Sequence, residues 1–276
     1  MTTFIDFVIV GAAKSGTTGL YEYLKHHPNI CMSKTKETNF FIEPNWKLGE
    51  EWFQNQFISP EKIKGEASPR YTQYNNAPQA AINIKNKNTK TKIIYIVRDP
   101  IDRIQSHIHH NMIHRNEKRT VKDILKDPEN EYILASKYYY QIKPFLANFS
   151  RKNIFIIQQE HLNANPNKVL NDICSFLNTT PFKNLIIQER HNISANKVRR
   201  TKLGQFVDDF KLEFLLLKIK KFIPEKIKNT LSGIFNYKIK KPDLKEYEKM
   251  LQDNLSSDLE IFDKEFNVNY DSISKK

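Results

Sequence analysis

Cysteine is scarce in this sequence, and no long uninterrupted apolar run occurs. The 2 cysteines among 276 residues, Cys31 and Cys174, exclude a disulfide framework and a zinc site that needs several thiolates. No stretch approaches the roughly 18 apolar residues of a membrane-spanning helix. The apolar segment at residues 4–10 contains Asp6 and runs into a glycine loop, which is not the layout of a signal peptide. We therefore expect a soluble, cytoplasmic protein.

Acidic residues are outnumbered by basic ones, 31 to 44, which leaves a net charge of +13. Such an excess indicates an anionic partner, or reflects the lysine-rich composition of an AT-rich genome. Basic residues interleaved with stacking aromatics do not occur, which argues against a nucleic-acid partner. Ten of the lysines fall in residues 211–245, together with an apolar cluster. This segment is typical of packed helices with a solvated lysine face, and it leaves open a peripheral contact with a membrane surface.

Apolar runs alternate with helical patterns along the first two thirds of the chain. Residues 7–10, 92–97 and 153–157 are apolar runs bounded by turn signals, as in parallel strands that are covered on both faces. Helical spacing predicts helices over residues 17–27, 101–115, 121–125, 132–149 and 166–177. The alternation predicts an α/β fold with a central parallel sheet flanked by helices. No internal repeat or linker interrupts it, so we predict one domain over residues 1–276.

A small-residue loop joins the first predicted strand to the first predicted helix. Gly11 and Gly16 have the glycine spacing of a nucleotide phosphate loop, and the following helix would aim backbone N–H groups at an anion. In the ATP and GTP form, lysine follows the second glycine. Here Thr17 holds that position, Thr18 keeps the hydroxyl position, and the lysine lies inside the loop at Lys14. The loop is therefore predicted to bind a phosphate group. Lys14 would contact a different part of the nucleotide from the part that the lysine of an ATP loop contacts.

A second phosphate-binding candidate follows the next predicted strand. Arg98 lies at the carboxyl end of that strand, where open α/β sheets bind ligands, and Ser106 follows eight residues later. An arginine fork and a hydroxyl at this spacing suit a second phosphate. The alternative is a helix-start ion pair, Arg98 with Asp102 or Asp99 with Arg103.

Taken together, these two motifs resemble the superfamily of sulfotransferases that use 3′-phosphoadenosine 5′-phosphosulfate (PAPS). The loop from Gly11 to Thr18 is similar to the 5′-phosphosulfate loop, and the stretch from Arg98 to Ser106 to the 3′-phosphate motif Arg-Asp-Pro-x-x-Arg-x-x-Ser. Shorter stretches resemble the carbohydrate (heparan sulfate-type) and bacterial branch of that superfamily. They begin at Lys36, Glu66, Ile156 and His191, and the resemblance covers roughly residues 5–205.

The resemblance implies a P-loop-like three-layer fold, with a PAPS-binding core at residues 1–205 and a helical C-terminal extension at 206–276. It also implies a function: transfer of a sulfuryl group from PAPS to a hydroxyl or amine of a carbohydrate or other small acceptor, with the bisphosphate PAP as product and no metal ion. The implied catalytic residues are Lys14 and Glu37. The implied nucleotide-binding residues are Lys14, Ser15, Gly16, Thr17, Thr18, Arg98, Ser106, and Arg199 or Arg200.

Two positions depart from the family's pattern. Where the family has a histidine two residues after the candidate base, this chain has Asn39, and where it has a lysine after the second glutamate, this chain has Ala67. Arg70 is the candidate replacement for that lysine. The helix after Arg98 also carries His107, His109 and His110, which we interpret as a partly exposed polar face, with an acid–base role as the alternative.

Two other function classes stay open at this point. One is a P-loop kinase or other nucleotide triphosphatase, against which the lysine position and the absence of an apolar strand ending in a metal-binding aspartate both argue. The other is a non-catalytic binder of polyanions or membrane surfaces, built on residues 211–245. The oligomeric state is not predicted.

Overall fold

The computed structural model describes residues 3–73, 75–182, 239–268 and 270, and the backbone alone at residues 199–200 and 236–237. Five parallel strands form its central sheet in the order β2-β3-β1-β4-β5. They are β1 (Phe7–Gly11), β2 (Ile30–Met32), β3 (Ile63–Ala67), β4 (Lys92–Val97) and β5 (Ile154–Gln158). A separate antiparallel pair, β6 (Arg199–Arg200) and β7 (Asn236–Tyr237), follows in the chain.

Helices fill the connections between the strands. They are α1 (Thr17–Lys25), α2 (Gly49–Gln54), α3 (Ala77–Lys87), α4 (Pro100–His114), α5 (Val121–Leu125), α6 (Glu131–Leu134), α7 (Tyr138–Leu146), α8 (Gln159–Ala164), α9 (Pro166–Leu177) and α10 (Glu248–Phe266). None of the helices in the described residues is both long and apolar enough to cross a bilayer.

The sheet has an apolar core on each face. Alternate residues of β1 point to opposite sides, so Phe7 and Ile9 join one buried cluster while Val8 and Val10 join the other. The first cluster includes α1, α8 and α9, and the second includes α3, α4, α7 and α10. The predicted fold class, a three-layer α/β fold with a central parallel sheet, is therefore confirmed. Most of residues 206–276 that precede α10 lie outside the described residues.

Candidate active site

The carboxyl ends of β1, β3 and β4 bring the predicted motifs to one edge of the sheet. Strand β1 lies between β3 and β4, with Ile9 beside Ala67 and Gly11 beside Tyr95 in the register. The connection that leaves β1 leads to β2 on one side of β1, and the connection that leaves the neighbouring strand β4 leads to β5 on the opposite side. The strand order therefore reverses between β1 and β4. In open α/β sheets, such a reversal creates the crevice in which ligands bind.

The phosphate loop adopts a tight path that its small residues permit. Gly16 has a φ of 96° and Lys14 a φ of 70°, both in the left-handed region. A Cβ atom on Gly16 would lie 2.7 Å from Gln159 Nε2, and one on Gly11 would lie 2.0 Å from Thr72 Oγ1. Glycine at these two positions therefore lets the loop pass close to the ends of β3 and β5.

Helix α1 begins directly after Gly16, at Thr17. The first N–H groups of a helix have no acceptor in a preceding turn, and they carry the positive end of the helix dipole. The Ser15 N–H group instead donates to the Ala12 carbonyl oxygen at 3.2 Å and thus closes the loop on itself. Ser15 and Thr17 are buried, and Thr18 is half-buried. The structure thus puts the residues named for the 5′-phosphate around a single helix start.

Arg98 joins this loop to the second motif. Its Nη1 donates to the Lys14 carbonyl oxygen at 3.5 Å, and its Nη2 forms an ion pair with Asp102 at 2.8 Å. The ion pair is the one that the sequence offered as the alternative to phosphate binding. Arg98 Nε is buried, and no hydrogen-bond partner for it occurs among the described residues. The buried hydroxyl of Tyr138 donates to the Arg98 carbonyl oxygen at 2.8 Å and so fixes the backbone there.

Arg103 is a site residue that the sequence analysis did not identify. The predicted alternative paired it with Asp99, but Asp99 caps α4 by accepting from the Asp102 N–H group at 2.9 Å. Arg103 is instead fully buried, and its Nη1 donates to the Ala13 carbonyl oxygen at 3.3 Å. Its other donors reach the Ser136 hydroxyl and the Tyr132 carbonyl oxygen. Burial lowers the pKa of Arg103 to about 10, so the side chain stays charged at neutral pH.

Two of the three histidines predicted to form a partly exposed face of α4 are buried instead, and the third, His110, is half-buried. His107 and His109 are buried, at 5% and 4% exposure, because α6 and the segment after β7 cover them. The His107 ring packs edge-on against Tyr132, and His109 Nε2 contacts the Ile239 carbonyl oxygen at 2.8 Å. Burial, reinforced by Arg103 and Lys14, lowers the pKa of His107 to about 2. Ser106, on the same helix, is also buried, at 6% exposure.

Glu37 lies at the same sheet edge, on a loop that packs over the end of β3. Its N–H group donates to the Ala67 carbonyl oxygen at 3.0 Å. Its carboxylate is 41% exposed and contacts the ammonium group of Lys36. A half-exposed carboxylate at the sheet edge that also carries the phosphate loop is open to an incoming acceptor, as a general base must be.

The departures from the family's pattern have visible structural counterparts. Ala67 is buried at the end of β3, where it supplies only its backbone carbonyl to the Glu37 loop. Asn39 donates from Nδ2 to the Glu37 carbonyl oxygen at 2.9 Å and so folds back on its own loop. Arg70 is exposed in the short 3₁₀ helix after β3.

Arg199 and Arg200 pair with Tyr237 and Asn236 through the backbone of β6 and β7. Their side chains lie outside the described part of the chain, as do residues 191–194. Whether either arginine meets the nucleotide thus stays a prediction. Among the described residues, no group of three or more His, Cys, Asp or Glu side chains is close enough to hold a metal ion.

Comparison with known proteins gives a consistent result. A family model described as a sulfotransferase domain matches residues 4–227. A crystal structure of a sulfotransferase from Alicyclobacillus acidocaldarius has a TM-score of 0.57 and 27% identity, and the alignment covers 67% of this chain and 87% of that one.

Curated relatives match over part of their length. The bifunctional heparan sulfate N-deacetylase/N-sulfotransferase 4 of Mus musculus is 30% identical over 200 residues, which is 64% of this chain and 23% of the relative. The membrane-associated sulfotransferase kil1 of Dictyostelium discoideum is 36% identical over 110 residues, 38% of this chain and 22% of the relative. This chain therefore spans less than a quarter of these relatives. The resemblance drawn from the two phosphate motifs is confirmed, and the chain belongs to the sulfotransferase family.

Proposed function

We propose that the protein transfers a sulfuryl group from PAPS to a hydroxyl or amine group of a carbohydrate acceptor. The observation that carries the choice of donor is the contact between the two motifs, in which Arg98 Nη1 lies 3.5 Å from the Lys14 carbonyl oxygen. A guanidinium group thus stands directly beside a phosphate loop. This pairing suits a nucleotide with separate 5′ and 3′ phosphate groups better than a triphosphate, whose charges lie along one chain.

The hydrogen bonding of Arg98 also supports PAPS as the sulfuryl donor. Arg98 Nε is buried and lacks a partner among the described residues, while Nη2 is held by the exposed carboxylate of Asp102. A buried donor without an acceptor costs about 1–3 kcal/mol, and a phosphate oxygen would satisfy it. Residues around the loop fit the other end of the nucleotide, since a helix start with a lysine beside it attracts an anion.

In the proposed reaction, an acceptor oxygen or nitrogen forms a bond to sulfur while the bond from sulfur to the 5′-phosphate oxygen breaks. Negative charge builds on that leaving oxygen, and Lys14 with the N–H groups at the start of α1 offsets it. The proton of the acceptor passes to the Glu37 carboxylate. The protein thereby contributes position, charge and one base, and the products are PAP and the sulfated acceptor.

A carbohydrate acceptor is proposed from the relatives together with the exposure of Glu37. The mouse relative is named as a heparan sulfate N-sulfotransferase, and N-sulfation places the sulfuryl group on a nitrogen of that glycan. The Glu37 carboxylate is 41% exposed, so it is open to a large acceptor such as a glycan chain. Both a sugar amine and a sugar hydroxyl are compatible with a carboxylate base.

Donor choice is tested by calorimetry with PAP and with ATP and Mg²⁺. We expect PAP to bind in the presence of EDTA and ATP to bind far more weakly. Lys14→Met should abolish measurable binding, whereas Lys168→Met should not, because Lys168 is an exposed lysine paired with Asp172 on α9. Preferential binding of ATP with Mg²⁺ would refute the proposal and favour the kinase alternative.

Acceptor choice is tested by transfer of radiolabelled sulfate from PAPS. The panel would contain N-deacetylated heparan chains, unsulfated glycans with only hydroxyl groups, and small phenols and amines. Label on either glycan class, lost in Glu37→Gln, is the expected result. Label on the phenol alone would overturn the carbohydrate assignment while leaving the donor assignment intact. A cytoplasmic location stays a sequence-based proposal, which fractionation of the native cells would test.

A further inference from the structure

Glu66 is a buried glutamate at the end of β3 that the proposed reaction does not use. Its side chain is fully buried. A single carboxylate oxygen, Oε1, accepts hydrogen bonds from three hydroxyl groups, namely Thr38 at 2.6 Å, Tyr71 at 3.4 Å, and Ser68. Three hydroxyl groups that converge on one buried oxygen are an unusual concentration of polar contacts inside an apolar core.

The same three hydroxyl groups accept hydrogen bonds from three consecutive backbone N–H groups. Asn39 N–H donates to Ser68 Oγ at 2.9 Å, Phe40 N–H to Thr38 Oγ1 at 3.3 Å, and Phe41 N–H to Tyr71 OH at 3.2 Å. A hydroxyl group has one hydrogen to give. Because each hydroxyl donates that hydrogen to Glu66, its lone pairs are left to face the loop. Glu66 Oε1 thus sets the direction of all six hydrogen bonds.

The loop that receives these bonds carries Glu37, and it is not in a relaxed conformation. Glu37 and Asn39 have φ values of 62° and 48°, in the left-handed region that costs a residue with a Cβ about 1–2 kcal/mol. Bonds from both sides hold the loop there: the Glu37 N–H group meets Ala67, and the next backbone groups meet the three hydroxyls. Without these bonds, the two residues would relax and the Glu37 side chain would point elsewhere.

We propose that Glu66 is a positioning residue for Glu37, acting as the shared acceptor that orients the Thr38, Ser68 and Tyr71 hydroxyls toward the loop. The proposal rests on the proposed function in one respect, the assignment of Glu37 as the base. The geometry of the loop stands apart from that assignment.

Only one oxygen of Glu66 is needed for this role. Its Oε2 is buried and has no hydrogen-bond partner among the described residues, so a proton on Oε2 leaves Oε1 free to accept. Burial raises the pKa of Glu66 to about 7. Glutamine offers the same acceptor oxygen at the Oε1 position, and methionine has a similar length but offers no such acceptor. The two substitutions therefore separate the role of the acceptor from the role of the charge.

The test compares Glu66→Gln and Glu66→Met with Glu51→Met, a change at an exposed glutamate of α2. Hydrogen exchange of the Asn39, Phe40 and Phe41 amides is measured together with kcat, the KM for PAPS, and the Kd for PAP. In Glu66→Met we expect the three amides to lose protection and kcat to fall about 10- to 100-fold, as misplaced catalytic groups do. The KM and Kd should stay near the wild-type values, and Glu66→Gln should restore both exchange and kcat.

Single hydroxyl deletions keep the proposal testable if Glu66→Met does not fold. Ser68→Ala should release the Asn39 amide, and Tyr71→Phe the Phe41 amide. Retained protection in these variants, or equal loss of kcat in Glu66→Gln and Glu66→Met, would overturn the inference. Failure of the proposed function would give a different result. The wild type would then transfer no sulfuryl group, while hydrogen exchange of the three amides would still depend on an acceptor at the Oε1 position.

Discussion

The guanidinium group of Arg103 lies 3.3 Å, from Nη1 to oxygen, from the carbonyl oxygen of Ala13 in the phosphate loop. This buried arginine holds the loop at Ala13, while the half-buried Arg98 contacts the next carbonyl along the chain, that of Lys14. The two arginines of the second motif therefore have separate tasks. Arg103 fixes the shape of the loop, and Arg98 offers a ligand its Nε, which has no hydrogen-bond partner in the part of the chain that the structure describes.

Replacement of Arg103 by lysine should damage both stability and nucleotide binding. Lysine keeps the charge but has one ammonium group, which cannot reach Ala13, Ser136 and Tyr132 together. Each buried acceptor left without a donor costs about 1–3 kcal/mol, so the free energy of unfolding should fall by that order. The Kd for PAP should rise about tenfold as the loop loosens. Urea unfolding and calorimetry measure the two effects.

Arg119→Lys is the matched control for that change. Arg119 is exposed and pairs with Glu117, and surface substitutions of this kind change stability by about 0.5 kcal/mol or less. An equal effect of the two substitutions would contradict the role assigned to Arg103.

Asp102 competes with the proposed 3′-phosphate for Arg98. Their ion pair, at 2.8 Å, has its carboxylate 54% exposed, and such pairs are worth about 0.3–1 kcal/mol. Asp102→Asn keeps an oxygen but removes the negative charge, so the Kd for PAP should fall about two- to fivefold. The gain should shrink at high salt, because salt screens exposed charges.

The control for Asp102 is Asp172→Asn, which breaks a comparable pair with Lys168 on α9, at 2.9 Å and also between residues four apart. No change in PAP affinity is expected there. Weaker binding in Asp102→Asn would mean instead that the carboxylate is needed to orient Arg98 for the ligand.

The sequence was sufficient for the elements whose signals are local. The strand at Lys92–Val97 and the helices at Val121–Leu125 and Pro166–Leu177 have the predicted bounds, because apolar runs and helical spacing determine them. Strands β2 and β3 were missed. Strand β3 contains Lys64 and Glu66, and both are buried beside partners outside the strand, Gln54 for Lys64 and Thr38 for Glu66. Local sequence patterns do not predict a buried strand that contains charged residues.

The residues of the candidate site also fall into two groups, those that local sequence motifs predict and those that depend on tertiary packing. Motif spacing was enough to place Lys14 and Arg98 at one sheet edge, since both follow strands that end there. The burial of Arg103 and His107 was not predictable, because it depends on α6 covering α4, with Tyr132 packed on His107. The one usable signal was their spacing, since Arg103, Ser106 and His107 fall on one face of the helix.

Two glycines of the loop and its helix should respond to alanine in opposite ways. Gly16 has a φ of 96°, and a Cβ there would lie 2.7 Å from Gln159 Nε2, so Gly16→Ala should destabilise the fold by about 1–2 kcal/mol and weaken PAP binding. Gly19 lies in α1, and a Cβ there would meet no atom within 4 Å. Gly19→Ala should stabilise the fold by about 0.5–1 kcal/mol. Thermal unfolding checks both, and stabilisation by Gly16→Ala would refute the loop geometry.

Two buried groups, Glu66 and His107, should make the free energy of unfolding change with pH in opposite directions. Burial raises the pKa of Glu66 from 4.5 to about 7, so the folded protein holds that proton more tightly, and stability falls as pH rises from about 4.5 to about 7. Burial lowers the pKa of His107 from 6.5 to about 2, so the folded protein resists that proton, and stability falls as pH drops below about 6.5. Between about pH 4.5 and 6.5 the two slopes oppose each other.

Glu66→Gln removes one of these slopes. A shift from 4.5 to about 7 corresponds to about 3 kcal/mol over the whole window, so the variant should gain stability with rising pH more steeply than the wild type does. Asp258 retains part of the opposing slope, because burial raises its pKa to about 6. Urea unfolding at several pH values from 4.5 to 7.5 measures the difference, with Glu51→Gln as an exposed control. Parallel curves of unfolding free energy against pH for the wild type and Glu66→Gln would show that Glu66 has the same pKa in the folded and unfolded chains. Glu66 would then act as the shared acceptor in its ionised form.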